Sequence, residues 1–168
     1  MTLKEDVEHY LSYAEPRYER AAVELGPAAV PLFRSAFDSG SQSLDAPQVL
    51  LARRAVYFVA MIAHQFPEVV EAAARLASDA MNDRNYRLRL AGGAAAVVIG
   101  GQARVDALNK CLADPHLAVQ AWAVDQVSHA PDDNRSTIQA TEEALKQIAN
   151  GRNTELAAMA AAVLGLDS

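Results

Sequence analysis

Prolines, glycines and helix-capping residues interrupt this chain at short intervals, and apolar residues spaced three and four positions apart follow each interruption. This spacing collects apolar side chains on one face of a helix, whereas a half-buried strand would need strict alternation. Thr2 with Glu5, and Ser136 with Gln139, form capping-box patterns that mark helix starts. The pattern therefore predicts an all-α fold. The predicted helices span residues 2 to about 11, 18–25, 27–40, 45–64, 67–80, 85–99, 102–113, 116–129, 136–149 and 153–164.

The composition favours close helix packing and restricts the kinds of partner. Hydrophobic residues make up 51% of the chain but aromatic residues only 6%, so the apolar content is mostly Ala, Val and Leu. Such side chains suit closely packed helices. The net charge of −6 repels phosphate groups, so neither nucleic acid nor an anionic membrane is expected as a partner. Residues 25–104 carry a small excess of basic side chains, so any anionic ligand is expected there.

The single cysteine and the lengths of the apolar runs indicate the cellular compartment in which the protein is expected. Cys111 is the only cysteine, and its neighbours Ala107 and Leu108 at helical spacing predict that it is a small core residue. No cationic segment followed by an apolar run marks a signal peptide. The longest apolar runs, 55–63 and 90–101, are shorter than the roughly 18 residues that span a bilayer. These observations predict a cytoplasmic protein.

The turns between the predicted helices recur along the sequence. When the turns at Asp83, Asp114 and Gly151 are aligned, an apolar residue always stands five positions later. Successive turns are 31 and 37 residues apart, and Asp45 extends the series backwards by 38 residues. A spacing of this size corresponds to one helical hairpin per repeat.

These repeats resemble the HEAT-repeat superfamily, in particular its short bacterial HEAT-like repeats. The best matching positions are Asp83, Leu88, Arg89, Ala91, Ile99 and Gly100. The segments 25–32 and 162–165 also look like pieces of the family pattern, so the resemblance covers roughly residues 25–165. In two later repeats Gln120 and Ala157 replace the arginine of the pattern.

The resemblance implies a single domain over residues 1–168. It would be an α-solenoid of about four antiparallel helical hairpins, with residues 1–25 as N-terminal capping helices and residues 26–168 as the repeats. A tetratricopeptide array would require Trp, Leu-Gly and Tyr landmarks that are missing from the expected places. A helical bundle remains the alternative architecture.

The sequence nominates no catalytic residue, no metal ligand and no cofactor site. The four histidines lack the His-x-x-x-His spacing that places two ligands on one helix face. Asp125 could orient His129 as a general base, but a histidine near a helix C-terminus is also stabilised there without catalysis. Trp122 with Asp125 is similar to a pair that HEAT-like alkylpurine glycosylases use. Core packing is the favoured role of Trp122, because the chain lacks an evident cationic groove.

Three predicted helices are apolar on nearly all sides, over residues 55–63, 90–99 and 157–164. Such helices must be covered by a neighbour. The cover can be a protein partner, a ligand, a second copy of the chain or the acidic N-terminal helices. We therefore expect a non-catalytic module that binds a protein partner on its inner-helix face. The alternatives are a cofactor-handling or lyase role like that of the HEAT-like phycobilin lyases, and an acidic inhibitor of a basic enzyme.

The candidate partner contacts are residues near the starts of the inner helices. They are Arg53, Arg54, Tyr57, Arg84, Arg87, Arg89, Gly93, His116 and Gln120. Ion pairs between repeats are the alternative role for the arginines.

Gly92 and Gly93 lie inside one predicted helix. Glycine lowers helix stability, so the presence of two in succession needs a structural explanation. One reason is close approach of a neighbouring helix. The other is an open groove, with Gly92 on the buried side and Gly93 facing the open side. In that case Gly93→Ala would raise stability slightly through helix propensity.

Overall fold

The structure, a computed structural model, describes residues 2–14, 17–130 and 134–166. These residues form ten α-helices and no strand, so the predicted all-α fold is confirmed. The helices are α1 (Leu3–Ser12), α2 (Tyr18–Leu25), α3 (Val30–Ser41), α4 (Ala46–Gln65), α5 (Val70–Met81), α6 (Tyr86–Ile99), α7 (Gly101–Leu112), α8 (Leu117–Ser128), α9 (Asn134–Ala149) and α10 (Thr154–Leu164). Short 3₁₀ turns, Pro27–Ala29 and Pro67–Val69, precede α3 and α5.

The helix starts follow the capping signals of the sequence at most positions. In α1, the Glu5 amide donates to Thr2 Oγ1 at 3.3 Å and the Thr2 amide donates to Glu5 Oε2 at 2.7 Å. This pair forms the predicted capping box. The capping box predicted at Ser136 is wrong, because α9 already begins at Asn134 and Ser136 lies in its first turn. The Asn153 side chain caps α10 by accepting from the Leu156 amide.

From α3 onward the helices pack as consecutive pairs. α3 packs against α4, α5 against α6, α7 against α8, and α9 against α10. The second helices of the pairs contact one another in the order α4, α6, α8, α10, and the first helices in the order α3, α5, α7, α9. α5 begins 40 residues after α3, and both have 12 residues. The prolines at the 3₁₀ turns set this spacing, because proline is preorganised for the first helical turn.

The buried apolar side chains form two adjoining clusters. The first extends from Val7 in α1 to Ala107 in α7, and the second from Leu108 in α7 to Ala160 in α10. Helix α7 contributes to both clusters, so it joins the two halves of the core. Phe33 and Phe58 stack in the first cluster with their ring centroids 4.9 Å apart, which ties α3 to α4.

The N-terminal helices cover the apolar helix α4. Ala21, Ala22 and Leu25 of α2 are buried, and α2 packs along α4. The ring of Tyr18 lies 4.7 Å from that of Phe58, measured between centroids. The acidic N-terminal helices therefore cover α4, one of the three apolar helices that the sequence predicted to need a neighbour.

Helix α4 is also the one described helix long and apolar enough to cross a membrane. Half of its most apolar stretch is buried inside the protein. The core helix of a soluble protein meets the same two criteria, so this feature is weak evidence for membrane insertion.

Candidate functional site

Four turns, each preceding the second helix of a pair, lie side by side along one edge of the molecule. We call this edge, formed by residues 42–45, 82–85, 113–116 and 150–153, the turn edge. Arg84 Nη2 donates to the Gln42 carbonyl at 3.1 Å, which joins the first turn to the second. Arg89 and Asp114 join the second to the third, as described next. A groove lined by residues of the last two turns completes the row.

Arg89 and Asp114 form a bidentate ion pair between neighbouring helix pairs. Arg89 Nε lies 2.6 Å from Asp114 Oδ2, and Arg89 Nη2 lies 2.9 Å from Asp114 Oδ1. Arg89 Nη1 also donates to the carbonyls of Asp83 and Arg84. Only 15% of the Arg89 side chain and 7% of the Asp114 side chain is exposed. Arg89 thus joins two helix pairs, as expected if the arginines form ion pairs between repeats, and its guanidinium is already occupied.

The pKa of Asp114 reflects two opposing effects. Burial acts to raise the pKa, but hydrogen bonds from Arg89 and from the backbone amide of His116 hold it below its usual value. The carboxylate is therefore ionised at neutral pH and forms the ion pair with Arg89. Nothing in the sequence identified Asp114 as the partner of Arg89, because 25 residues separate them.

Aromatic side chains connect the starts of α6 and α8. The rings of Tyr86 and His116 stack in parallel, with centroids 3.7 Å apart and an angle of 3° between the ring planes. The guanidinium of Arg87 lies 5.7 Å from the centre of the Tyr86 ring. His116 Nδ1 also accepts from the Ala118 amide and so caps α8. The structure thus brings together two of the predicted contacts, Arg87 and His116, through a tyrosine that the sequence analysis did not single out.

Three arginines on or beside the turn edge have no carboxylate partner among the described residues. They are Arg84, Arg87 and Arg152, and all three are exposed. Three other arginines do have such partners: Arg20 with Glu24, Arg34 with Asp38 and Asp79, and Arg75 with Glu71. The three guanidinium groups on or beside the turn edge are therefore open to an anionic partner, on an edge that also carries the carboxylates of Asp45 and Asp83.

Arg152 was missed by the sequence analysis, although the sequence contains a signal for it. Arg152 follows Gly151 directly, just as Arg84 follows Asp83, and those two turn residues are equivalent in the aligned repeats. Gln120, which was predicted, lines the same groove of about 490 Å³ as Arg152, together with Leu117 and Leu156.

Arg53, Arg54 and Tyr57 lie away from the turn edge, against the N-terminal helices. Arg54 Nη1 donates to the Leu11 carbonyl at 2.5 Å. The rings of Tyr57 and Tyr18 are 5.7 Å apart, and burial raises the pKa of the Tyr57 phenol. The Nε of Arg53 is buried without a hydrogen-bond partner. Arg54 and Tyr57 thus hold α1 and α2 against α4.

Gly93 is buried, which corrects the expectation that it faces an open surface. A Cβ at position 93 would lie 2.7 Å from Cys111 Sγ and 2.8 Å from Trp122 Cζ3. A Cβ at Gly92 would lie 2.5 Å from the Ala77 carbonyl oxygen in α5. Close approach of neighbouring helices therefore explains both glycines, and no open groove lies over Gly93.

Cys111 is a buried core residue, as predicted. Burial raises the pKa of its thiol to about 12, so the thiol is protonated at neutral pH and weakly reactive.

No protein-family model matches the chain, and no curated protein or solved structure matches it. Its function must therefore be inferred from its own side chains. The turn edge groups three exposed arginines that lack carboxylate partners, whereas Arg20, Arg34 and Arg75 on α2, α3 and α5 are paired. Arg17, at the start of α2, is a further exposed arginine without a partner among the described residues.

Proposed function

We propose that this chain is a HEAT-like α-solenoid that binds an acidic segment of a partner protein along the turn edge and carries out no catalysis. The observation that carries the proposal is the row of exposed guanidinium groups, on Arg84, Arg87 and Arg152, that lack carboxylate partners within the described part of the chain. The contact surface lies at the N-terminal ends of the inner helices.

The order of helix contacts supports the solenoid part of the proposal. Each pair from α3 to α10 touches its neighbours in sequence, first helix to first helix and second to second. In a solenoid each repeat contacts only the adjacent repeats. The shared length of α3, α5 and α7, 12 residues each, is consistent with repeated units of one design.

The charge of the turn edge favours a protein carboxylate over a nucleic acid. A guanidinium group binds a carboxylate through two parallel hydrogen bonds, and these are strong when the arginine is not already engaged. Binding to nucleic acid needs several phosphate contacts over a basic surface, whereas the whole chain has a net charge of −6.

Apolar and aromatic groups beside the arginines give the edge a surface that a protein segment can bury. The stacked rings of Tyr86 and His116 lie next to Arg87. Leu117 is 53% exposed and lines the groove that it shares with Gln120 and Arg152. Aromatic rings and arginines are the residue types that contribute most to binding at protein interfaces.

Charge reversal at Arg87 tests the proposal. A fluorescein-labelled peptide of eight glutamates serves as the acidic probe, and fluorescence anisotropy at low salt measures its dissociation constant. We expect Arg87→Glu to weaken binding about fivefold to tenfold, because the variant replaces an attraction with a repulsion. Raising the salt concentration should weaken binding to the unmodified protein, because both charges are exposed.

Arg75→Glu is the matched control. Arg75 is also an exposed helical arginine, but it lies on α5 and faces Glu71. The control changes the net charge by the same amount, so we expect less than about a twofold effect on binding. Equal weakening by the two variants would mean that only the overall charge attracts the peptide, and the turn edge would then have no special role.

A further inference from the structure

A cavity lies between α1 and α2, outside the turn edge. Its volume is about 780 Å³, within the usual range of small-molecule sites. Its lining includes His9, Tyr10, Tyr13, Asp6 and Arg17. Neither the repeat pattern nor the proposed contact with a partner protein uses these residues.

Three aromatic rings form one wall of this cavity. The centroids of His9 and Tyr13 are 4.5 Å apart, and those of Tyr10 and Tyr13 are 5.9 Å apart. The rings touch one another edge to face, so no cation fits between them as it would in an aromatic cage. The three tilted rings instead give the cavity apolar surface against which an aromatic group can pack.

Most polar groups of the wall are satisfied within the protein. Tyr10 donates its hydroxyl proton to Glu24, and Arg20 Nε lies 2.6 Å from Glu24 Oε1. The Tyr13 hydroxyl and His9 Nε2 are 2.7 Å apart. The hydrogen bond to Glu24 raises the pKa of Tyr10, which keeps the phenol neutral. These contacts fix the rings in place.

Two groups of opposite charge in the lining have no partner among the described residues. Asp6, on α1, is half-buried, and Arg17, at the start of α2, is exposed. Both line the cavity together with the aromatic wall. A ligand that satisfies both groups must carry a positive and a negative charge on one small body.

We propose that this cavity binds a small zwitterion with a flat aromatic body, of the aromatic amino acid class, with its ammonium group on Asp6 and its carboxylate on Arg17. The aromatic body packs against the wall of His9, Tyr10 and Tyr13. The carboxylate accepts hydrogen bonds from the guanidinium, and the ammonium donates to the Asp6 carboxylate.

Three probes with the same phenyl ring and two-carbon chain separate the two charges. Isothermal titration calorimetry on the full chain measures the binding of L-phenylalanine, 3-phenylpropanoate and 2-phenylethylamine. We expect L-phenylalanine to bind about tenfold more tightly than either analogue, because each analogue leaves one charged group unpaired. No binding of L-phenylalanine at millimolar concentration, or equal affinity for all three probes, would overturn the proposal.

Two variants test which residue binds each charged group of the ligand. Asp6→Asn should weaken L-phenylalanine about tenfold and leave 3-phenylpropanoate unchanged, whereas Arg17→Gln should weaken both carboxylates and leave 2-phenylethylamine unchanged. If Asp6→Asn weakens all three probes equally, the ammonium contact is absent.

Arg152→Gln is the matched control, because it makes the same substitution at an unpaired arginine of the turn edge. It should leave L-phenylalanine binding unchanged. Circular dichroism and the melting temperature verify that the variants remain folded. The octaglutamate assay on Arg17→Gln then separates the two proposals, since that variant should bind the acidic peptide normally even if the zwitterion site fails.

Discussion

Asp114→Ala is expected to lower the free energy of unfolding by about 3 kcal/mol, because it leaves the buried guanidinium of Arg89 without its counter-charge. The variant also removes the acceptor for the His116 amide. Chemical denaturation followed by circular dichroism measures the loss. Asp79→Ala is the matched control, since the Arg34–Asp79 pair also joins two helix pairs but both side chains are more than 40% exposed. We expect that control to cost less than about 1 kcal/mol.

The effect of Asp114→Ala should depend on pH in a defined direction. The folded protein holds the pKa of Asp114 below its unfolded value, which is about 3.9 for aspartate. The carboxylate therefore contributes its full stability above about pH 4, and this contribution is lost as the pH falls through the folded pKa. The difference between wild type and variant should shrink in that acidic range. A difference that stays constant down to pH 2 would mean that packing, and not the charge, supports the contact.

Gly92→Ala is the second change with a large expected effect. The new Cβ would lie 2.5 Å from the Ala77 carbonyl oxygen and 2.7 Å from the Met81 amide nitrogen, both on the backbone of α5. Backbone atoms can move away only if α5 and α6 separate. Overpacking should therefore exceed the gain of about 1 kcal/mol in helix propensity and lower the free energy of unfolding by about 2 kcal/mol net.

Gly93→Ala should also destabilise, but by less, and with an optical signature. Its new Cβ would meet two side chains, Cys111 and the half-buried ring of Trp122, which can shift more easily than a backbone. We expect Gly93→Ala to lower the free energy of unfolding by about 1 kcal/mol. Because Trp122 is the only tryptophan, its fluorescence should change in this variant and not in Gly92→Ala.

Ala94→Gly measures the effect of helix propensity alone in the same helix. We expect it to lower the free energy of unfolding by about 1 kcal/mol. A Gly93→Ala variant more stable than wild type would restore the open position that the sequence had predicted. That outcome would also contradict the contacts of Cys111 and Trp122 with position 93.

Local features of the sequence determined the helices and their ends. The capping box of Thr2 and Glu5, the prolines of the 3₁₀ turns and the spacing of apolar residues each act over a few residues, so no distant contact is needed to read them. Alignment of the turns also placed Arg84, Arg87 and His116 near the starts of successive helices. Because the helices pack in the order of the sequence, residues at equivalent positions of successive turns lie along the same edge.

Only the tertiary structure decided which side chains are free to meet a partner. Arg89 and Arg87 are two residues apart on the same helix, yet one is closed off by Asp114 from the next helix pair and the other is exposed. Gly93 could not be oriented from the sequence, because α6 is apolar on nearly all sides and its periodicity defines no single buried face. Pairing and burial depend on distances between residues that are far apart in the chain, and helical periodicity carries no information about those distances.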